Sequence, residues 1–335
     1  MDPLTPAAAR ERLRALAHQS FGFYPTPLEA LPRLRAALGA RAPRLLIKRD
    51  DYTGFALGGN KVRKLEYELA PERVRDVDVL ITAGGFGSNH ARVTAAAAAR
   101  LGLRCILVLN GTSPDPPRGN ALLQRLFGAE IIPVAAREER APRMQQIAAE
   151  LAAQGQRALV VPLGASTPQG ALGYAVAALE LAAQLKIIPR GSDPVWLVVS
   201  ASSAGTLAGL LLGLALAERA DVRTIGVSPD DPAAGIRDTA RRTAQDAADL
   251  LGYSLKLDPE TPIVTSDYVG GGYGVPTDAS TEALRQFART EGVVLDPVYT
   301  AKAAACLIDW VQSARFAADD TVVFWHTGGH PALFA

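Results

Sequence analysis

The sequence predicts an α/β protein with a mostly parallel sheet covered by helices on both faces. Two observations carry this. Apolar runs of strand length alternate with longer helical patterns, and turns rich in glycine or small polar residues lead from strand to helix. Ligands of such sheets bind beyond the carboxyl ends of strands, so the turns that follow strands are where chemistry is expected.

In chain order, "RLLIKRDD" (44–51) reads as a strand that runs through a glycine-rich turn into the helical "NKVRKLEYELA". "DVLITAGG" (78–85) is a second strand, followed by the turn "FGSNH", the helix "ARVTAAAAARLGL" and the strand "RCILVLN". "NGTSPDPPRGN" (110–120) is a proline-rich surface connection. "VWLVVSA" (195–201) precedes "SSAGT", a helix from about Leu207 and the strand "RTIGVS"; "TVVFWHTGG" (321–329) closes the series. The uncharged stretch Pro194–Ala217 has the length of a membrane span, but "SASSAGT" splits it into a buried strand and a buried helix, so no span is expected. No internal repeat and no low-complexity linker is present.

The 335 residues suffice for one large domain or two ordinary ones, and a hydrophobic content of 48% supplies the core. With 35 basic and 34 acidic residues the chain carries no field for nucleic acid and no basic arm for a membrane surface. Two cysteines, Cys105 and Cys306, give no disulfide framework and no cysteine metal site. The start, "MDPLTPAAARERLRAL", lacks a charged head followed by an apolar core, so a reduced cytoplasm is expected.

Three turns carry candidate chemistry. "GGNKVRKLEY" sets Lys61 and Lys64 three apart on one helix face, in a chain whose other lysines are Lys48, Lys186, Lys256 and Lys302. Elsewhere the chain writes arginine for positive charge. Lysine can do what arginine cannot: lose its proton and form a Schiff base. The ordinary alternative is a solvated helix face. "SSAGT", Ser202 to Thr206, has the small residues and helix start that suit a phosphate, with Ser203 and Thr206 hydroxyls in reach. It is neither a Walker nor a dinucleotide motif, and a plain tight turn reads the same way. "GFGSNH" repeats the architecture and suits a carboxylate, although Ser88 or Asn89 could simply cap the helix. An aldehyde cofactor with a phosphate, pyridoxal phosphate, accounts for both lysines and the "SSAGT" turn together. Tyr273 and Tyr299 stand beside flexible turns, as core residues or as groups at a ring. His326 and His330 have no carboxylate beside them in sequence, and no metal is expected.

"GGNKVRKLEY", "GSNHARV", "SAGTLAG", "GYGVP", "DPVYTAK" and "HTGGHPALFA" together resemble the D-cysteine desulfhydrase and 1-aminocyclopropane-1-carboxylate deaminase family, as do "YPTPLEALPRL" and "IKRDDYTG". The resemblance covers nearly the whole chain. It implies a pyridoxal-phosphate enzyme of fold type II, like tryptophan synthase β, with two three-layer α/β/α domains. A small domain over 55–168 would be inserted in a large one of 1–54 and 169–335. Lys61 matches the Schiff-base lysine and Lys64 a phosphate contact. Ser203, Ala204, Gly205 and Thr206 match the phosphate turn, and Asn89 the residue at the cofactor's phenolic oxygen. Ser88 matches a substrate residue that supports proton transfer, beside Asn89 and His90. Tyr299 and Tyr273 match the active-site aromatics.

The deaminase has Glu at the position of Thr300, against the pyridine nitrogen; Thr300 and Thr327 are the hydroxyl candidates here. His90 likewise stands where the deaminase has Gln. Both features imply β-elimination from D-cysteine, with L-cysteate sulfo-lyase and ring-opening deaminase as alternatives. The desulfhydrases have Gln where this chain has Gly87, after Phe86, which bears on the substrate. A small amino-acid substrate and a homodimer complete what the resemblance implies.

Overall fold

The computed structural model describes residues 2–188 and 194–335. Its strands, in chain order, are β1 (Leu28–Ala30), β2 (Arg44–Arg49), β3 (Val79–Gly85), β4 (Arg104–Asn110), β5 (Glu130–Val134), β6 (Ala158–Val160), β7 (Val195–Ser200), β8 (Val222–Val227), β9 (Ile263–Thr265) and β10 (Thr321–His326). They form two sheets. One has the order β1-β2-β10-β7-β8-β9, the other β5-β4-β3-β6. Every pairing is parallel except β1 with β2. Strands such as β7 and β10 are buried along their whole length, which is why they read as unbroken apolar runs.

The sequence places β2, β3, β4, β7, β8 and β10 within three residues and does not name the shorter β1, β5, β6 and β9. Two helix starts shift by two residues. The helix expected from Ala91 begins at Asn89, because the Ser88 side chain accepts from Ala91 N and caps it. The helix expected near Leu207 begins at Gly205. The uncharged stretch 194–217 resolves into β7 and the helix Gly205–Leu216. Among the described residues one helix, Pro168–Ile187, has the length and composition to cross a membrane, and Leu172, Tyr174, Leu181 and Leu185 along it are buried in the core.

That long helix positions the site. A Cβ at Gly173 would lie 2.0 Å from the Arg63 carbonyl oxygen, and one at Gly209 would lie 2.2 Å from that of Ala171. Glycine at both points lets the helix Lys61–Glu68 and the helix Gly205–Leu216 pack backbone to backbone against it.

A buried carboxylate fixes the rotation of the lysine helix. Asp50, just past β2, accepts from Arg63 Nε and Nη2 (both 2.9 Å), Tyr174 OH (2.6 Å), Trp325 Nε1 (2.9 Å) and Thr26 Oγ1 (2.8 Å). Burial alone would raise its pKa; Arg63 and Lys48 outweigh that and lower it. Arg63 therefore faces the core and also meets Glu180. Lys61 and Lys64 are left on the other side.

Candidate active site

The turns after β2, β3, β7 and β10 converge on a cavity of about 180 Å³. The strand order reverses between β7 and β10 in one sheet and between β3 and β6 in the other, and the turns after all four strands contribute to the lining. Lys61, Ser88, Asn89, His90, Ser203, Ala204, Thr206, Tyr273, Tyr299 and Thr327 all line it. Among the described residues no Asp or Glu does, whereas Arg137 and Arg140 stand with Lys61 in the lining.

Lys61 begins its helix, and its Nζ donates to Asn60 Oδ1 at 3.2 Å. Burial and the nearby Arg92 guanidinium lower its pKa to about 8, against the opposing pull of Asp296. The side chain thus holds a usable fraction of neutral amine near neutral pH, as a nucleophile or base requires. Lys64 lies outside the cavity wall. Its Nζ donates to Ser166 Oγ at 2.9 Å, and Ser166 Oγ lies 2.7 Å from Ser203 Oγ. Burial, then repulsion from Lys61, puts its pKa well below the ordinary lysine value. Glu68 opposes this shift, and an anion at the 203–206 turn would add to that counter-charge.

That turn is built for close approach. Ala204 is held at φ +61, in the left-handed region. A Cβ at Gly205 would fall 2.7 Å from Ser166 Cα. The first N–H groups of the helix that follows have no partners within it. The Ser200 hydroxyl, at the cavity wall, is buried without a partner. Thr206 Oγ1 accepts from Asn60 Nδ2 at 3.0 Å, which ties the turn to the residue before Lys61. A phosphate fits this cradle.

The turn after β3 works through side chains. Asn89 Oδ1 accepts from Arg92 Nη1 (3.1 Å) and Asn120 Nδ2 (3.0 Å). With its oxygen engaged, Asn89 presents its amide N–H to the cavity. Ser88 Oγ accepts from Ala91 N, which leaves its O–H to donate. His90 is neutral: burial and the two lysine charges drive its pKa well down. Thr82 Oγ1 gives its hydrogen to Val161 O (2.7 Å), so it accepts from His90 Nε2 (2.8 Å).

Tyr273 and Tyr299 share a hydrogen bond between their hydroxyls, and burial raises both pKa values. Arg137 lies 5.2 Å from the centre of the Tyr273 ring and pairs with Asp230 at 2.7 Å.

Thr300 corrects the sequence reading. It is buried, does not line the cavity, and gives its hydroxyl to Asp296 Oδ1 at 2.7 Å. The carboxylate of "DPVYT" also collects the N–H groups of Val298, Tyr299 and Thr300, and that local cap claims the threonine. Of the two threonines, Thr327 is the one at the cavity. Gly205 likewise shapes the turn without lining the cavity.

The two histidines also differ from the sequence reading, which finds no acid beside them. Asp51 joins His326 and His330, with ligand-type atoms all within 4.8 Å. The hydrogen bonds occupy the set in another way. His326 Nδ1 accepts from Gly328 N, so its Nε2 carries the proton and donates to Val294 O, and Asp51 is held by Arg49. Asn60, Arg92, Asn110, Asn120, Ser166 and Asp296 go unnoticed in the sequence. Asn60 follows the two glycines directly, which is the one local signal among them.

A cavity with a buried, deprotonatable lysine beside a phosphate cradle defines a pyridoxal-phosphate site, and the chain belongs to the family of pyridoxal-phosphate dependent enzymes, matched over residues 19–328. It is 44% identical over 316 residues to the D-cysteine desulfhydrases of Salmonella typhimurium and Salmonella newport, covering 93% of this chain and 93% of each relative. Among solved structures, an ACC deaminase homologue superposes with a TM-score of 0.87 at 34% identity, over 99% of this chain and 97% of that one. A pyridoxal 5'-phosphate-dependent aspartate racemase (TM-score 0.68, 16% identity, covering 98% and 96%) shares the fold. The fold is type II, as the sequence resemblance implies.

Proposed function

We propose that this protein is a β-elimination lyase that converts D-cysteine to pyruvate, hydrogen sulfide and ammonia. The observation that carries the reading is the cavity around Lys61, whose lining among the described residues holds no carboxylate and which Thr327, not Thr300, reaches. Pyridoxal phosphate, when bound, supplies the electron sink for cleavage at the substrate's α-carbon. The chain supplies the rest. Ser203, Ala204, Gly205 and Thr206 would hold the phosphate, with Lys64 behind them donating to Ser166. Asn89 would donate its amide to the phenolic oxygen, and Tyr299 and Tyr273 would stand at the ring. The Lys61 amine takes the α-proton, and the Ser88 O–H assists. Loss of that proton and of β-hydrosulfide leaves 2-aminoacrylate, which water hydrolyses to pyruvate and ammonia.

A threonine hydroxyl donates to an unprotonated ring nitrogen and leaves a milder sink than a carboxylate would. Elimination tolerates this, because the leaving group removes the electrons. Opening a cyclopropane ring has no such exit at the outset. A second reading, L-cysteate sulfo-lyase, is favoured by Arg137 and Arg140 in the cavity lining and by the open space at Gly87.

The division into a small domain at 55–168 and a large one of 1–54 and 169–335 belongs to the proposal; the separate sheets support it. So do a homodimer and a cytoplasmic setting. For the first, Phe23 packs on Gly54 and, with Tyr52 and Leu57, leaves apolar surface open; for the second, both thiols are buried and form no disulfide.

The test is a panel of D-cysteine, L-cysteine, L-cysteate and 1-aminocyclopropane-1-carboxylate, assayed for 2-oxo acid and released group. Pyruvate and sulfide from D-cysteine are expected. Faster 2-oxobutanoate from the cyclopropane amino acid overturns the reading of Thr327, and turnover of L-cysteate alone moves the assignment to the second reading.

A further inference from the structure

Lys302 stands three residues after Tyr299, at the start of the helix Thr300–Gln312, and its side chain is fully buried. No carboxylate hydrogen-bonds it. Its Nζ meets three backbone carbonyl oxygens: Val269 (2.7 Å), Gly272 (2.9 Å) and Pro229 (3.4 Å). Burial lowers its pKa and the Asp230 carboxylate opposes this; the three carbonyls match the three hydrogens of the ammonium. The arrangement is that of a small cation in a cage of carbonyls, with the cation tethered to a helix.

What the cage holds is the turn that bears Tyr273. That turn, 270–274, contains Gly270, Gly272 and Gly274, all at positive φ. A Cβ at Gly272 or Gly274 would touch nothing within 4 Å, so side-chain packing at those two positions does not restrain the turn. Such a segment is conformationally costly to fix. The ammonium grips it on both sides of Gly270 and Gly271, and reaches the turn at Pro229. The next residue, Asp230, pairs with Arg137, which lies over the Tyr273 ring. One helix thus presents Tyr299, whose hydroxyl meets that of Tyr273, and Lys302, which holds the backbone beside it.

We propose that Lys302 is a positioning residue, an internal monovalent cation that fixes the 270–274 turn and so sets the Tyr273 hydroxyl in the active site. This rests on the reading of Tyr273 as an active-site group, and it adds a residue that touches neither substrate nor cofactor.

The test uses cofactor-loaded enzyme and whichever amino acid the wild type turns over, so it does not depend on the substrate assignment. Lys302→Met should lower kcat about tenfold or more, with cofactor content and absorbance unchanged, since a charged hydrogen-bond donor is lost. The loss should be non-additive with Tyr273→Phe, the double variant being no slower than the slower single one. Lys302→Ala opens room for a free cation, and ethylammonium should restore kcat several-fold where tetramethylammonium, which donates no hydrogen bond, does not. Lys302→Ala also serves as the probe if the methionine variant does not fold. Full kcat in Lys302→Met, additive losses, or equal rescue by the two ammonium ions overturns the proposal. An inert Tyr273→Phe beside a slow Lys302→Met overturns the positioning of Tyr273 and leaves the roles of Lys61 and the phosphate turn intact. A wild type that eliminates from none of the β-substituted amino acids defeats the proposed function instead, and the same variants are then compared by α-proton exchange in heavy water.

Discussion

The turns after β3 and β7 share one architecture, a parallel strand running into a helix, yet they are built from opposite materials. Residues 202–206 work through backbone: a left-handed Ala204, a glycine with no room for a Cβ, and helix N–H groups left open. Residues 85–90 work through side chains: Ser88 caps its own helix, and Asn89 is oriented by Arg92 and Asn120. A backbone cradle suits a group that is the same in every turnover, the phosphate. Side chains suit the part that varies, the substrate. The difference teaches that the first turn should be intolerant of added atoms and the second of altered hydrogen bonding.

Substitutions can break or sharpen this contrast. The largest effect on cofactor retention is expected for Gly205→Val, whose new atoms collide with Ser166 and push it from between Lys64 and Ser203. Overpacking of this kind costs about 1–3 kcal/mol, so retention should fall roughly ten- to a hundredfold by equilibrium dialysis. Thr206→Ala comes next. It removes one hydroxyl donor to an anion and should weaken retention about tenfold, read by the same measurement. Full retention in a folded Thr206→Ala protein counts against the phosphate assignment. Ser88→Ala is the smallest. Loss of its cap should cost about 1 kcal/mol of stability in urea unfolding, with cofactor retention unchanged and turnover slowed. If Ser88→Ala sheds cofactor as Thr206→Ala does, the division of labour between the turns is wrong.

What could be read in the sequence follows from range. β7 and β10 are buried on both faces, so their residues are uniformly apolar and the strands stand out. Lys61 stands out because lysine is rare here and follows two glycines. Asp296 and Thr300 do not: four residues decide that a local cap takes the threonine hydroxyl, and a motif match alone places Thr300 at the ring. Asp51 meets His326 only because β10 pairs with β2 across the chain, and no local pattern carries that pairing. Arg92 and Asn120 orient Asn89 from other helix positions, where each reads as ordinary surface polarity. Arg63 is the reverse case. It looks like one more charge beside the lysines, and the fold turns it inward to Asp50, which frees the lysine face for chemistry.

The claim on which the account depends is that Lys61, and not Lys64, carries the cofactor. Borohydride reduction of the holoenzyme followed by peptide mapping tests it directly. Lys61 lines the cavity with its pKa lowered to about 8, while Lys64 is committed to Ser166 behind the phosphate turn. The label is expected on Lys61 alone; a label on Lys64, or no covalent label on either lysine, would contradict it.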